Sequence, residues 1–279
     1  MMFSISILHA GTYSGGSGTE ASPYQISDKN DLLELCTTSE DWGGHFIQTA
    51  DIQFSDNDFQ SGGDFYNSGC GFSPIGGGGT GQRFNGVYDG DEYSISNLTI
   101  NRPNTVNVGL FGHIGESGSG DGVEIKNIEL TQVDIKGARG TGSLVGRVTG
   151  DENTFISRCY ANKGTVTGDG ATGGLVGSNN SHVTNPSNKS HHPTIQYSYA
   201  DVSVSWSTSG NGDKIGGLAG CNQKGKIFYS YARGSVTVDN SGGQTSPTPE
   251  RVGGLAGCIL IRGYIINSYS TGGVSTSGT

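Results

Sequence analysis

Zinc peptidase chemistry needs two imidazoles one helical turn apart with a glutamate beside the first. The six histidines of this chain, at 9, 45, 113, 182, 191 and 192, form no His-Glu-x-x-His. His182, His191 and His192 share a polar stretch at 178–193, where a solvated loop explains them better than a transient metal site. Acidic residues gather at Asp51, Asp56, Asp58 and Asp64 and again at Asp89 and Asp91. Calcium is the ion such oxygens would take, yet the first group fits no EF-hand or nonapeptide loop, and the second sits in a turn where aspartate bonds its own backbone. No metal and no cofactor is therefore expected, with calcium the sole exception to keep in view. The five cysteines, at 36, 70, 159, 221 and 258, show no Cys-x-x-Cys spacing, which argues against zinc.

Three triplets offer a different chemistry. Thr165-Val-Thr167, Ser203-Val-Ser205 and Ser235-Val-Thr237 each turn a valine inward and two hydroxyls outward. Stacked, they make a flat hydroxyl strip that could bind a glycan, ice or another ordered surface. Gly273-Val-Ser275 breaks the pattern, so ordinary solvent-facing strand composition is the simpler account. Tyr160, Tyr199, Tyr231 and Tyr269 recur in the same way, and their offset from an inward isoleucine suits a core or corner ladder better than a sugar platform.

These residues are positioned by a repeat. The phrase reads Val108-Gly-Leu-Phe-Gly112, Gly142-Ser-Leu-Val-Gly146, Gly173-Gly-Leu-Val-Gly177, Gly216-Gly-Leu-Ala-Gly220 and Gly253-Gly-Leu-Ala-Gly257, its last glycines 34, 31, 43 and 37 residues apart. A second phrase, Ile-x-x-[Cys/Ser]-Tyr, runs from Ile156, Ile195, Ile227 and Ile265, with a looser copy at Ile125; a third centres on Val166, Val204, Val236 and Val274. Three short strands per unit, bounded by glycine or polar corners, describe one coil of a parallel β-helix in which like residues form ladders. Cys221 and Cys258 follow consecutive phrases, so stacking sets their Cα atoms about 4.8 Å apart. That separation suits either a disulfide or a reduced cysteine stack. Insertions at 178–194 and 239–251 fall at corners and are the places to look for specificity. Ahead of the repeats, Ser27 or Asp28 caps a short helix through Asp31–Cys36, a strand follows at His45–Phe54, Asp89-Gly-Asp91 makes a turn, and a phase slip at Ser96-Asn97 marks a corner.

Fifty glycines in 279 residues, about 18 per cent, with seven prolines, punctuate many tight turns. The net charge is −9, and the 16 Lys and Arg residues are scattered along the sequence, which excludes charge-driven binding to nucleic acid or an anionic bilayer. No apolar run approaches the roughly 20 residues of a spanning helix. Residues 1–10 resemble the tail of a secretory signal, the alternative being a short strand.

The phrases resemble the GLUG motif repeat over 108–278, and Gly15-Gly-Ser-Gly-Thr-Glu20, Pro23-Tyr24, His45-Phe46, Ala50-Asp51-Ile52 and Tyr88-Asp89-Gly90 resemble the lead-in of secreted bacterial proteins that carry it. The resemblance implies an exported bacterial surface or adhesin-like protein; such repeats also accompany immunoglobulin-A-cleaving metallopeptidases. The expectation is an all-β chain: residues 1–10 a signal remnant, 11–107 a cap with one short helix and the first coils, 108–279 five repeats. Fold precedent supplies the right-handed twist of this β-solenoid. The expected function is a non-enzymatic adhesive or structural module, secreted or at the cell surface, whose partners are a glycan, another extracellular surface, or further copies of itself. The rivals are a polysaccharide lyase or hydrolase with converging charged groups on an outward face, and a self-assembling filament subunit. Assembly, or a longer parent chain, is suggested by the lack of a capping segment after Val274.

Overall fold

A computed structural model describes residues 11–77, 82–115, 122–181, 192–206, 214–239 and 251–277. Residues 1–10, His182 and His191, and nearly all of the 239–251 insertion lie outside them. The chain is mostly β, and its named strands pair in parallel. Parallel partners cannot be joined by a tight hairpin. Each strand instead meets the copy of itself one repeat away, an arrangement consistent with a parallel β-helix.

The ladders follow from this pairing. Ile125, Ile156, Ile195, Ile227 and Ile265 are successive register partners, as are Ile100, Ile135, Val166, Val204, Val236 and Val274. Leu110, Leu144, Leu175 and Leu218 are fully buried, and each of the last three bonds amide to carbonyl onto the next repeat, the final partner being Leu255. In the core, buried Asn179 donates its amide to Asn222 Oδ1 at 2.9 Å, and Asn222 in turn donates to the carbonyls of Gly225 and Tyr264.

A 16-stranded sheet carries the second and third phrases of every unit, and a five-stranded sheet runs through Phe111–Ile114, Val145–Gly150, Val176–Ser181, Ala219–Gln223 and Ala256–Leu260. A three-stranded sheet holds Thr172–Gly173, Lys214–Gly216 and Arg251–Gly253. The final glycine of the repeated phrase is needed where these last two sheets meet. A Cβ on Gly146, Gly177, Gly220 or Gly257 would run into the backbone nitrogen of Val108, Thr141, Thr172 or Ile215. Close approach of backbone, rather than an unusual torsion, therefore accounts for the fifth residue of the phrase.

At the N-terminal end the α-helix is Lys29–Thr37, and the capping residue is Asp28, which accepts from the amides of Asn30 and Asp31. Leu32 and Leu35 are buried, and Trp42 Nε1 donates to Leu35 O at 2.7 Å. The strand expected across 45–54 is two, His45–Gln48 and Ile52–Gln53. Gln48 Nε2 reaches the carbonyls of Ala50 and Ser94, pinning a corner between them. Asn97 has φ 61°, which places a corner at the expected phase slip.

Candidate functional site

The second phrase turns through the left-handed region at its third residue in all five copies. Asn127, Arg158, Tyr197, Tyr229 and Asn267 have φ of 53°, 50°, 51°, 47° and 50°. Asparagine tolerates that conformation, whereas arginine and tyrosine do so at a cost of about 1–2 kcal/mol each. The turn leaves the next amide without a partner in the ladder, and the [Cys/Ser] position supplies one. Ser198, Ser230 and Ser268 Oγ accept from the amides of Cys159, Ser198 and Ser230 at 3.1–3.2 Å, while each hydroxyl donates to the carbonyl two residues back. These serines are consumed by the backbone.

The turn throws two aromatic columns outward. Tyr197 and Tyr229 are 48% and 52% exposed and stack with rings 5.2 Å apart and 4° from parallel, and Arg158 extends the column 6.0 Å from the Tyr197 ring. Beside them Tyr160, Tyr199, Tyr231 and Tyr269 stack at 4.7, 4.9 and 5.3 Å, with the Arg233 guanidinium 4.7 Å from the Tyr231 ring. Half-burial raises the pKa of the Tyr160 and Tyr199 hydroxyls, which stay protonated donors at neutral pH. Of the expected core or corner role, the corner part fits, since these tyrosines stand two residues past the turn; the core part is corrected, because their neighbours Cys159 and Ala161 take the core and strand alternation puts the rings outside. At the head of both columns a groove of about 200 Å³ is lined by Glu92, Asn127, Glu129, Arg158 and Tyr160.

The hydroxyl strip lies further along the same long strand, Thr154–Gly168, beyond a bend at Lys163-Gly164, where φ is 65° and 117°. Thr165 aligns with Ser203 and Thr167 with Ser205, while Ser205 aligns with Thr237. Ser235 donates to Ser203 at 3.3 Å, Thr167 and Ser205 share a 2.8 Å bond, and Thr165 donates to Asp134 at 2.9 Å. The six hydroxyls are thus brought into two columns that bond largely along themselves. The sequence picked out the strip, but it missed Tyr197 and Tyr229, because a tyrosine in the left-handed region has no local signature.

Other candidate positions serve the scaffold. His192 is buried, its Nδ1 bonded to Lys224 O and its ring edge-on to Tyr264, so it does not share the solvated loop expected for it. Asp51 accepts from Ser94 N and Oγ, Asp58 pairs with Lys29, and Asp89 accepts from Asn127 with Lys126 at 3.8 Å. No group of three metal-ligating side chains occurs among the described residues. Cys221 and Cys258 are register partners joined as a disulfide, their Cα atoms 4.8 Å apart. No helix among the described residues is long and apolar enough to cross a membrane.

No family model matches the chain. It is 38% identical over 166 residues to halomucin of Haloquadratum walsbyi, covering 58% of this chain and 2% of that protein. Against the immunoglobulin A1 protease of Streptococcus sanguinis it is 27% identical over 197 residues, 70% of this chain and 9% of that protein. The chain thus matches small parts of far longer relatives. Its fold resembles the crystal structure of a "putative immunoglobulin A1 protease" from Bacteroides ovatus, with a TM-score of 0.58 at 20% identity over 93% of this chain and 70% of that one.

Proposed function

We propose that this chain is a non-catalytic module of an exported surface protein, a right-handed parallel β-helix of GLUG-type repeats, that adheres to an extended, uncharged glycan through its tyrosine face. The observation that carries the reading is the exposure of Tyr197 and Tyr229 at strained left-handed positions, where asparagine stands in the first and last copies. Strain that holds a large apolar ring in solvent points to a ligand that covers it. Stacked tyrosines offer flat apolar area to sugar C–H faces, and Glu92, Glu129 and Asn127 offer acceptors and a donor for hydroxyls. With Arg158 the one cation among the described residues lining the groove, the acidic pair and the net charge of −9 disfavour an anionic ligand there. Successive copies add weak contacts along one chain. Export is supported by the disulfide and by the kinds of relatives named above.

A glycan array tests this. Wild-type protein is expected to bind neutral β-linked or α-linked glucans, xylans or mannans, and the Tyr197→Asn/Tyr229→Asn variant to lose that signal. A blank array with folded protein would reject the reading. The rival, glycan cleavage, has one observation in its favour, the two carboxylates Glu92 and Glu129 in one groove. Release of new reducing ends from a bound glycan, abolished by Glu129→Gln, would establish it instead.

A further inference from the structure

Three cations far apart in the sequence meet in the fold. The five-stranded sheet places His113, Arg147, Ser178 and Cys221 in one column. The neighbouring edge brings Lys214, at the start of its strand, alongside, and the turn before Thr141 adds Arg139. Between them runs a cavity of about 170 Å³ lined by Arg139, Arg147 and Lys214 together with Ser178, Asn180 and Gln223. Arg139 and Arg147 supply two guanidiniums to its walls, Lys214, which makes an interaction of its own, adds an ammonium, and the described lining residues include no carboxylate. Asp169 lies near Arg139 without lining the cavity, and burial raises its pKa against the pull of that guanidinium. Burial, then the charges of Arg83 and Arg139, disfavour the charged form of Arg147.

Like charges crowded at the mouth of a polar cavity are stabilised by a counter-charge inside it. Guanidinium forks match oxyanions in two-pronged fashion, and hydroxyl and amide side chains complete such a shell. We infer that this groove is an oxyanion site, separate from the tyrosine face, that takes a sulfate or phosphate group, free or as an ester on a polymer. The volume suits one such group with its waters and excludes a folded partner.

Calorimetric titration of the whole chain with sodium sulfate and sodium phosphate, against sodium chloride at equal ionic strength, tests the inference. Saturable binding is expected, weakened roughly tenfold by Arg147→Gln and by Arg139→Gln and unchanged by Tyr229→Asn. Should Arg147→Gln fail to fold by circular dichroism, Arg147→Lys, which keeps the charge and loses the fork, is expected to fold and still bind more weakly. Dextran sulfate compared with dextran separates the two sources. Tighter binding to the sulfated polymer than to free sulfate assigns the site to an ester on a chain, and equal binding assigns it to the free anion. No saturable binding of any of these anions, or identical affinity in the arginine variants, overturns the inference.

Discussion

Single residues carry two separable consequences. Tyr197 and Tyr229 combine an exposed ring, the proposed ligand face, with a backbone penalty, so replacing either by asparagine removes about 1–2 kcal/mol of left-handed strain and about 0.5–1.5 kcal/mol of ring stacking. Thermal unfolding of Tyr229→Asn should therefore lie close to wild type even where glycan binding is lost; a large fall would mean the ring belongs to the core. His113 behaves differently. Burial, reinforced by Arg83 and Arg147, lowers its pKa from 6.5 to about 4, while Thr149 Oγ1 bonds its Nε2 at 2.9 Å. A folded-state pKa below the unfolded value means stability is present above pH 6.5 and is lost as pH falls through that value toward 4. Denaturant titrations across that window should show a shallower acid loss for His113→Asn than for wild type.

At the scale of elements, the repeated phrase is a junction between two sheets as much as a source of core leucines. Gly177 faces the backbone of Thr141, so Gly177→Ala should cost about 1–3 kcal/mol, read as a lowered denaturant midpoint. A neutral result would place the requirement elsewhere. The ladders, the short helix and the corner at Asn97 were legible because period, glycine spacing and capping chemistry act locally. The split of the 45–54 strand was not legible. It is made by Gln48 reaching the carbonyl of Ser94, 46 residues away. The outward tyrosine columns were hidden for a related reason, since Ile-x-x-[Cys/Ser]-Tyr reads as inward alternation until the third residue is known to turn through positive φ.

For the molecule as a whole, stacking converts sequence periodicity into faces. The 16-stranded sheet carries the tyrosine columns and, past the bend at Lys163-Gly164, the hydroxyl columns, while Arg147 of the five-stranded sheet meets Lys214 of the three-stranded sheet and Arg139 of a turn around one cavity, a gathering that no reading of the chain as a string would give. The Cys221–Cys258 bond ties the last two repeats across 37 residues, so reduction should lower stability by about 3–4 kcal/mol, most visibly as earlier unfolding of the C-terminal repeats in hydrogen exchange. Uniform protection before and after reduction would argue that the bond is incidental to the stack. The tyrosine columns are proposed to bind an extended glycan by adding contacts along the stack. Calorimetry with an oligosaccharide series of increasing length, drawn from the polymer the protein prefers, tests it most directly. The prediction is an affinity that climbs with each added sugar until the columns are filled, and that falls at every length in Tyr197→Asn/Tyr229→Asn. Affinity independent of length, or untouched by the double variant, would contradict it.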